Sequence, residues 1–563
     1  MPSLLLRSPK NPRHLACAAP LLVALLILPA PPAAAQAADS HHAMVAAEGD
    51  LAAQAGLDVL RHGGNAVDAA VAISLVLGVT NSGSCGIGGG GFMLIYHAHE
   101  HKIYALDYRE VAPKAASSTM YIRDGKPDEQ LARTGSLAVA VPGEVAGLDA
   151  ALKRFGTMKF SALAAPAIKL ARDGFPLSEH MARDVDFSAD QTRQDASFRA
   201  AFFNSDGTPF KAGATVYAKN LATLMEKLGD DPVREFYHGS VANAIATYMK
   251  AHGGIVTADD LAAYRPVWRA PIHLGYRDYD LYTMPPPSSG GVVLEMLGML
   301  APGHLRAFGV DSPAYLVQLI EVMREGFTDR DQYADPAFVK VPIAQLLSPT
   351  HLAAARAAAL RDHRPPQVSV AHDHGTSNFC VVDAAGNVVD VTTTVNTIFG
   401  AKLMVPELGL ILNDEMDDFA IAPQTPNAYK LIQAQANAVA PGKRPLSSMS
   451  PLIALRGGRP ALVAGGSGGP TIITGVAQIA LDMLDFKMPA QTAVDLPRIH
   501  HQARPTTVFV EKSIGAPTIE TLTRMGYQTK VVPELGAVNA IGIAPDALDG
   551  GYDRRKGGAA LGY

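Results

Sequence analysis

The stretch Gly375-Thr376-Ser377-Asn378-Phe379-Cys380-Val381-Val382-Asp383 constrains this chain most. It places a Gly-Thr bond directly ahead of an apolar, strand-like run, deep inside the sequence. A threonine hydroxyl is a weak nucleophile that gains power when a base lies beside it. The nearest possible base is the α-amine of the same residue. That amine exists only if the Gly375–Thr376 bond is cut. The stretch therefore implies a precursor that cleaves itself and exposes Thr376 as a catalytic N-terminus.

The residues that follow define a hairpin. Phe379 to Val382 leads into Asp383-Ala384-Ala385-Gly386-Asn387, a three-residue turn closed by glycine, which fits a hairpin with a bulge. Pairing Asp383 with Asn387 sets Thr376 opposite Thr394. Asn396 then shares that face, because side chains alternate along a strand. The register predicts Thr376, Thr394 and Asn396 together at one end of a sheet.

Elsewhere the periodicity predicts helices over 50–79 (interrupted at Gly63-Gly64), 143–173, 219–251, 312–329 and 351–361. Gly86 to Gly91 reads as a glycine loop ahead of two strands, Phe92 to Tyr96 and Ile103 to Tyr108, with Arg109 ending the second. Pro285 to Gly291 reads as a rigid loop, and 362–375 as an exposed linker ending at the scissile bond. Ala461 to Ala464 reads as a short strand, Gly465 to Pro470 as a loop and Thr471 to Leu484 as a helix. Glycine there lets backbone N–H groups approach a ligand.

The chain has 563 residues, 48% of them hydrophobic and 18% charged, with a net charge of −5. That is enough for a large core. No basic face stands out, so nucleic acid is not an expected partner. Arg7, Lys10 and Arg13, the apolar run Leu15 to Leu28, and Ala33-Ala34-Ala35 or Ala35-Gln36-Ala37 read as a secretory signal over 1–37. Export to the periplasm or the medium is expected, with no membrane attachment once the signal is removed. Only Cys85 and Cys380 remain in the mature chain, and two buried thiols are expected rather than a disulfide framework.

Several separated motifs resemble those of the γ-glutamyltransferases (glutathione hydrolases). They are Thr376 to Asp383, Thr394-Val395-Asn396, Leu412 to Phe419, Lys443 to Pro451 and Gly468-Gly469. In the first half Gly64 to Ala70 and Leu106 to Glu110 match as well, as does the closing Ala560 to Tyr563. The resemblance covers about residues 40–563. It implies an α/β (α+β) fold, the four-layer αββα sandwich of the N-terminal-nucleophile hydrolases. It also implies self-cleavage into a large subunit (38–375) and a small one (376–563) that stay together as one interleaved unit.

By the same resemblance Thr376 is the nucleophile, and Thr394 the hydroxyl that hydrogen-bonds it. Gly468 and Gly469 supply the oxyanion hole. The donor's α-carboxylate meets Arg109, Ser447 and Ser448, and its α-ammonium meets Asn396, Glu415 and Asp418. Tyr429 closes a lid over the site, which points to small donors such as glutathione. Water, an amino acid or a peptide takes the acyl group. No cofactor is implied. The chain departs from the family pattern where Ser377-Asn378 replaces Thr-His and Cys380 replaces serine.

Three other readings stand beside this one. Gly465-Gly466-Ser467-Gly468-Gly469 fits G-x-S-x-G, so Ser467 with Asp482 or Asp495 and His500 could form a serine-hydrolase triad. A β-lactam acylase would share fold and threonine but change substrate. An inactive exported binding protein would keep the fold alone. The histidines at 41–42, 372–374 and 500–501 lack convincing ligand spacing, and no metal site is expected from them.

Overall fold

The structure is a computed structural model that describes residues 38–361 and 375–563. The expected signal and all of the expected linker except Gly375 lie outside the described residues.

Two seven-stranded sheets form the centre. The first runs in the order Ala559–Gly562, Met44–Ala47, Ser377–Val382, Val388–Thr394, Gly90–His97, Lys102–Asp107 and Val267–Arg269. The second runs Ala38–Ser40, Ala547–Gly551, Ala537–Ala544, Arg459–Ser467, Leu452–Arg456, Tyr279–Thr283 and Ile272–Tyr276. They face each other through the strands Ser377–Val382, Val388–Thr394 and Arg459–Ser467. The helices Asp50–Arg61, Ala66–Thr80 and Glu144–Phe155 cover the outer face of the first sheet. Gly290–Leu300, Thr471–Leu484 and Ala490–Asp495 cover the outer face of the second. This is the four-layer αββα sandwich.

Strand alternation sorts the apolar side chains into two cores. Phe379, Val381, Met93 and Ile95 face the helices of the first layer. Cys380, Val382, Phe92 and Leu94 face the second sheet. Both faces are buried, so these strands read as continuous apolar runs. Cys85 and Cys380 are buried free thiols.

The predicted hairpin register holds. Ser377 pairs with Thr393 and Val382 with Val388, and Asp383 donates its N–H to the Asn387 carbonyl. Asp383 also accepts from the N–H of Ala66, and so joins the turn to the start of the buried helix Ala66–Thr80. The strand Ser377–Val382 sits between Met44–Ala47 and Val388–Thr394. Segments before and after the Gly375–Thr376 bond therefore share one ladder.

Two glycine stretches predicted as loop carry strand. The strand that begins at Arg459 continues through Gly465, Gly466 and Ser467, so the loop is only Gly468 to Pro470. Pairing with Ala537–Ala544 carries it on, because a ladder supplies each N–H with a partner whatever the side chain. Likewise Gly90 and Gly91 already pair with Thr394 and Thr393, so the Gly86–Gly91 stretch ends in strand. Among the described residues no helix is long and apolar enough to cross a membrane.

Candidate active site

Thr376 heads its strand with its backbone pinned on both sides. Its N–H donates to the Ser84 carbonyl at 2.9 Å, and its carbonyl accepts from Lys556 Nζ at 2.6 Å. Its Oγ1 lies 2.9 Å from Thr394 Oγ1. Thr394 Oγ1 also accepts from the Asn396 N–H at 2.8 Å, which fixes the hydroxyl that touches Thr376. In the uncut chain Thr376 has φ 97°, a left-handed conformation that a β-branched residue holds only under strain. Beside it, a Cβ on Gly375 would lie 1.9 Å from the Asn396 carbonyl oxygen. Only glycine fits there.

Gly468 and Gly469 have φ 115° and 61°, and the second carries the ring of Tyr429, which a Cβ at 469 would meet at 2.5 Å. Among the described residues neither N–H has an acceptor. Two N–H donors are thus left for a ligand oxygen, which is what an oxyanion hole requires.

The recognition wall is charged and self-paired. Arg109 is 1% exposed. Its Nη1 donates to Glu415 Oε1, and its Nη2 donates to Asp418 Oδ2 at 2.5 Å. Its Nε donates to the Pro445 carbonyl at 3.3 Å. A ligand carrying both a carboxylate and an ammonium could exchange into this set, each end replacing an internal partner. Asp418 is also the lid's anchor. Its Oδ1 accepts from Asn427, and its carbonyl accepts from Gln433 and Asn437. Tyr429 donates from its hydroxyl to the Asn396 carbonyl at 2.8 Å.

These residues line one cavity of about 20 Å³, together with Ser447, Ser448, Met449 and Ile472. Of the predicted site only Gly468 and Gly375 are not in its lining, and each is the chain neighbour of a residue that is. Three contributors were not predicted. Arg330 donates from Nε to Ser289 Oγ at 2.9 Å and from Nη2 to Ser448 Oγ at 3.5 Å. Burial lowers its guanidinium to about 10 despite the nearby Asp418. Lys556 and Glu48 lie 3.7 Å apart behind Thr376, and burial raises the Glu48 carboxyl. No spacing rule marks these residues; their roles arise from long-range packing.

The alternative triad fails on geometry. Ser467 Oγ donates to Glu48 Oε1. His500 is buried, with its ring nitrogens on Thr474 and Gln502, and burial pushes it down to about 4. Among the described residues no imidazole hydrogen-bonds Ser467 Oγ, which is buried in the extended strand.

The departures at Asn378 and Cys380 share one partner. Asn378 Nδ2 donates to Asp390 Oδ1 at 2.8 Å, and Cys380 Sγ lies 3.8 Å from the same oxygen. Burial raises the Asp390 carboxyl to about 7. The amide at 378 is thus a satisfied donor within the strand that follows Thr376.

The four-layer sandwich is the N-terminal-nucleophile hydrolase fold, and here it sets a strand-heading threonine hydroxyl beside two backbone N–H groups that have no acceptor among the described residues. Residues 52–563 match the gamma-glutamyltranspeptidase family model, and the chain belongs to that family. It is 38% identical over 524 residues to a glutathione hydrolase proenzyme of Escherichia coli, covering 91% of this chain and 90% of that one. A second such proenzyme, from a Pseudomonas species, is 39% identical over 548 residues, covering 93% and 95%. Among solved structures, a cephalosporin acylase from Bacillus halodurans superposes with a TM-score of 0.83 at 26% identity, covering 96% of this chain and 99% of that one. A chain of the Pseudomonas nitroreducens gamma-glutamyltranspeptidase superposes with a TM-score of 0.52 at 38% identity, covering 58% of this chain and 95% of its own length.

Proposed function

We propose that this chain is an exported precursor that cuts itself at Gly375–Thr376 and then acts as a glutathione hydrolase and γ-glutamyl transferase. The observation that carries this reading is the 2.9 Å contact between the Thr376 and Thr394 hydroxyls, in a cavity walled by Arg109, Glu415 and Asp418.

In the first step Thr376 Oγ1 attacks the Gly375 carbonyl carbon. The C–N bond breaks, an ester forms on Oγ1, and the nitrogen leaves as the free amine. Water opens the ester, leaving a carboxylate on Gly375 and the hydroxyl on Thr376. The strained φ at Thr376 is released when the bond breaks. The new α-amine, with an ordinary pKa of ~7.7–8.0, then serves as base near neutral pH.

In the second step Thr376 Oγ1 attacks the donor's γ-carbonyl. The N–H groups of Gly468 and Gly469 stabilise the oxyanion, and the leaving amine takes a proton. Arg109, Ser447 and Ser448 hold the donor's α-carboxylate, while Asn396, Glu415 and Asp418 hold its α-ammonium. Water or an acceptor amine then removes the acyl group. Tyr429 covers the cavity by its bond to the Asn396 carbonyl, which favours a small donor over a polymer.

Release of the chromophore from a γ-glutamyl anilide tests the reading. Thr376→Ala abolishes release and Ser467→Ala does not. Preferential turnover of an acylated β-lactam would move the chain to the acylase side.

A further inference from the structure

We propose that Glu295, Asp329 and His351 form a binding site for a divalent metal ion of the zinc class, apart from the reacting centre. One ligand atom from each lies within 4.8 Å of the others. The three come from separate helices, Gly290–Leu300, Pro313–Asp329 and Pro349–Ala359.

Glu295 makes the cluster more than a surface ion pair. It is 1% exposed. Its Oε1 accepts from the Tyr333 hydroxyl at 2.6 Å. Its Oε2 is buried and has no hydrogen-bond partner among the described residues. A buried carboxylate oxygen left in this state is costly. Asp329 lies beside this carboxylate, and a cation between the two relieves their mutual repulsion. On the other side of Asp329, His351 Nε2 lies 2.7 Å from Asp329 Oδ2. A cation between the three satisfies the orphaned oxygen, the second carboxylate and the imidazole together.

The donor set selects the ion. Calcium takes six to eight oxygens and magnesium a near-octahedral oxygen shell, and neither favours imidazole. One imidazole and two carboxylates with a water in the fourth position suit zinc. Bonds of about 2.0–2.2 Å need ligand atoms roughly 3.3 Å apart, so the His351–Asp329 contact opens by roughly half an ångström on binding. The side chains of His351 and Asp329 are 24% and 18% exposed, which gives the ion a way in.

The position gives the ion a structural role. Asp329 precedes Arg330, whose guanidinium holds Ser289 and Ser448. Ser289 in turn precedes the helix that carries Glu295. An ion there ties the helix that follows Ser289 to the helix that precedes Arg330, and so braces the contacts of Arg330 with Ser289 and Ser448.

The test uses the purified full-length protein, stripped with a chelator and dialysed against zinc. Bound metal is counted by mass spectrometry, and cobalt serves as a spectroscopic probe. The expected result is one ion per chain and a higher thermal midpoint with zinc. His351→Ala and Glu295→Gln each weaken binding at least tenfold and lose the thermal shift. A His99→Ala control, in the exposed His97–His101 stretch, keeps both. No saturable zinc binding, as a proton-bridged Glu295–Asp329 pair would give, overturns the proposal. So does binding unchanged in both site variants.

Discussion

The wall that carries Thr376 and Thr394 and the wall that carries Arg109, Glu415 and Asp418 meet in one cavity but are held by different means. The first lies at the ends of two central, paired strands. Ladder bonds run from Ser377–Thr393 to Val382–Val388, and the hydroxyl contact follows from the register. The second is assembled from loops whose charges satisfy one another, with Arg109 bound to both acids and Asp418 tethering the lid. An atom set by strand register is in place before any ligand arrives. A recognition set that is internally paired must exchange partners, so its affinity is a difference between two ion-paired states.

The largest effect expected from breaking this contrast is at the strand wall. Thr376→Ala abolishes the cut and lowers kcat by more than about 10³-fold, read by gel and by anilide release. Gly375→Val comes next. Its Cβ would press on the Asn396 carbonyl, so the precursor accumulates uncut while the fold persists. Pulse-chase analysis of the two bands measures the slowing.

Changes on the recognition wall leave the cut intact. Arg109→Lys keeps the charge but loses the fork to Glu415 and Asp418, and kcat/KM falls about tenfold to a hundredfold through KM. Tyr429→Phe removes one hydrogen bond to Asn396 and raises KM a few-fold, in line with about 0.5–1.5 kcal/mol per bond.

The smallest effect is on stability against pH. Burial raises the Glu144 carboxyl from 4.5 to about 7, against hydrogen bonds from Ser74 and Thr393. Between these values the folded chain holds a proton that the unfolded chain has lost. Its contribution is therefore fully present below pH ~4.5 and is lost as pH rises through about 7. Glu144→Gln keeps partners for both hydroxyls and flattens that decline, by up to about 1.4 kcal/mol per pH unit in the window. Thermal midpoints from pH 5 to 8 show it.

The strand wall was legible because pleat and turn chemistry are local. Asp383 to Asn387 fixes a turn length, and turn length fixes which threonines face each other. The hydroxyl pair followed from counting. The recognition wall was legible only through resemblance to a family, since Arg109 and Asp418 lie 309 positions apart and no periodicity links them. Arg330, Lys556 and Glu48 escaped both routes. Each sits in an unremarkable local run and acquires its role by burial against a distant element. The short strand predicted at Ala461 to Ala464 erred for the opposite reason. Glycines that signal a loop in isolation are carried on as strand when a neighbouring ladder supplies their partners.

The most direct test is intact-mass spectrometry of the purified, active protein with sequencing of each N-terminus. The account predicts two chains that remain associated, the smaller beginning at Thr376. A single unbroken polypeptide with full γ-glutamyl activity would contradict it.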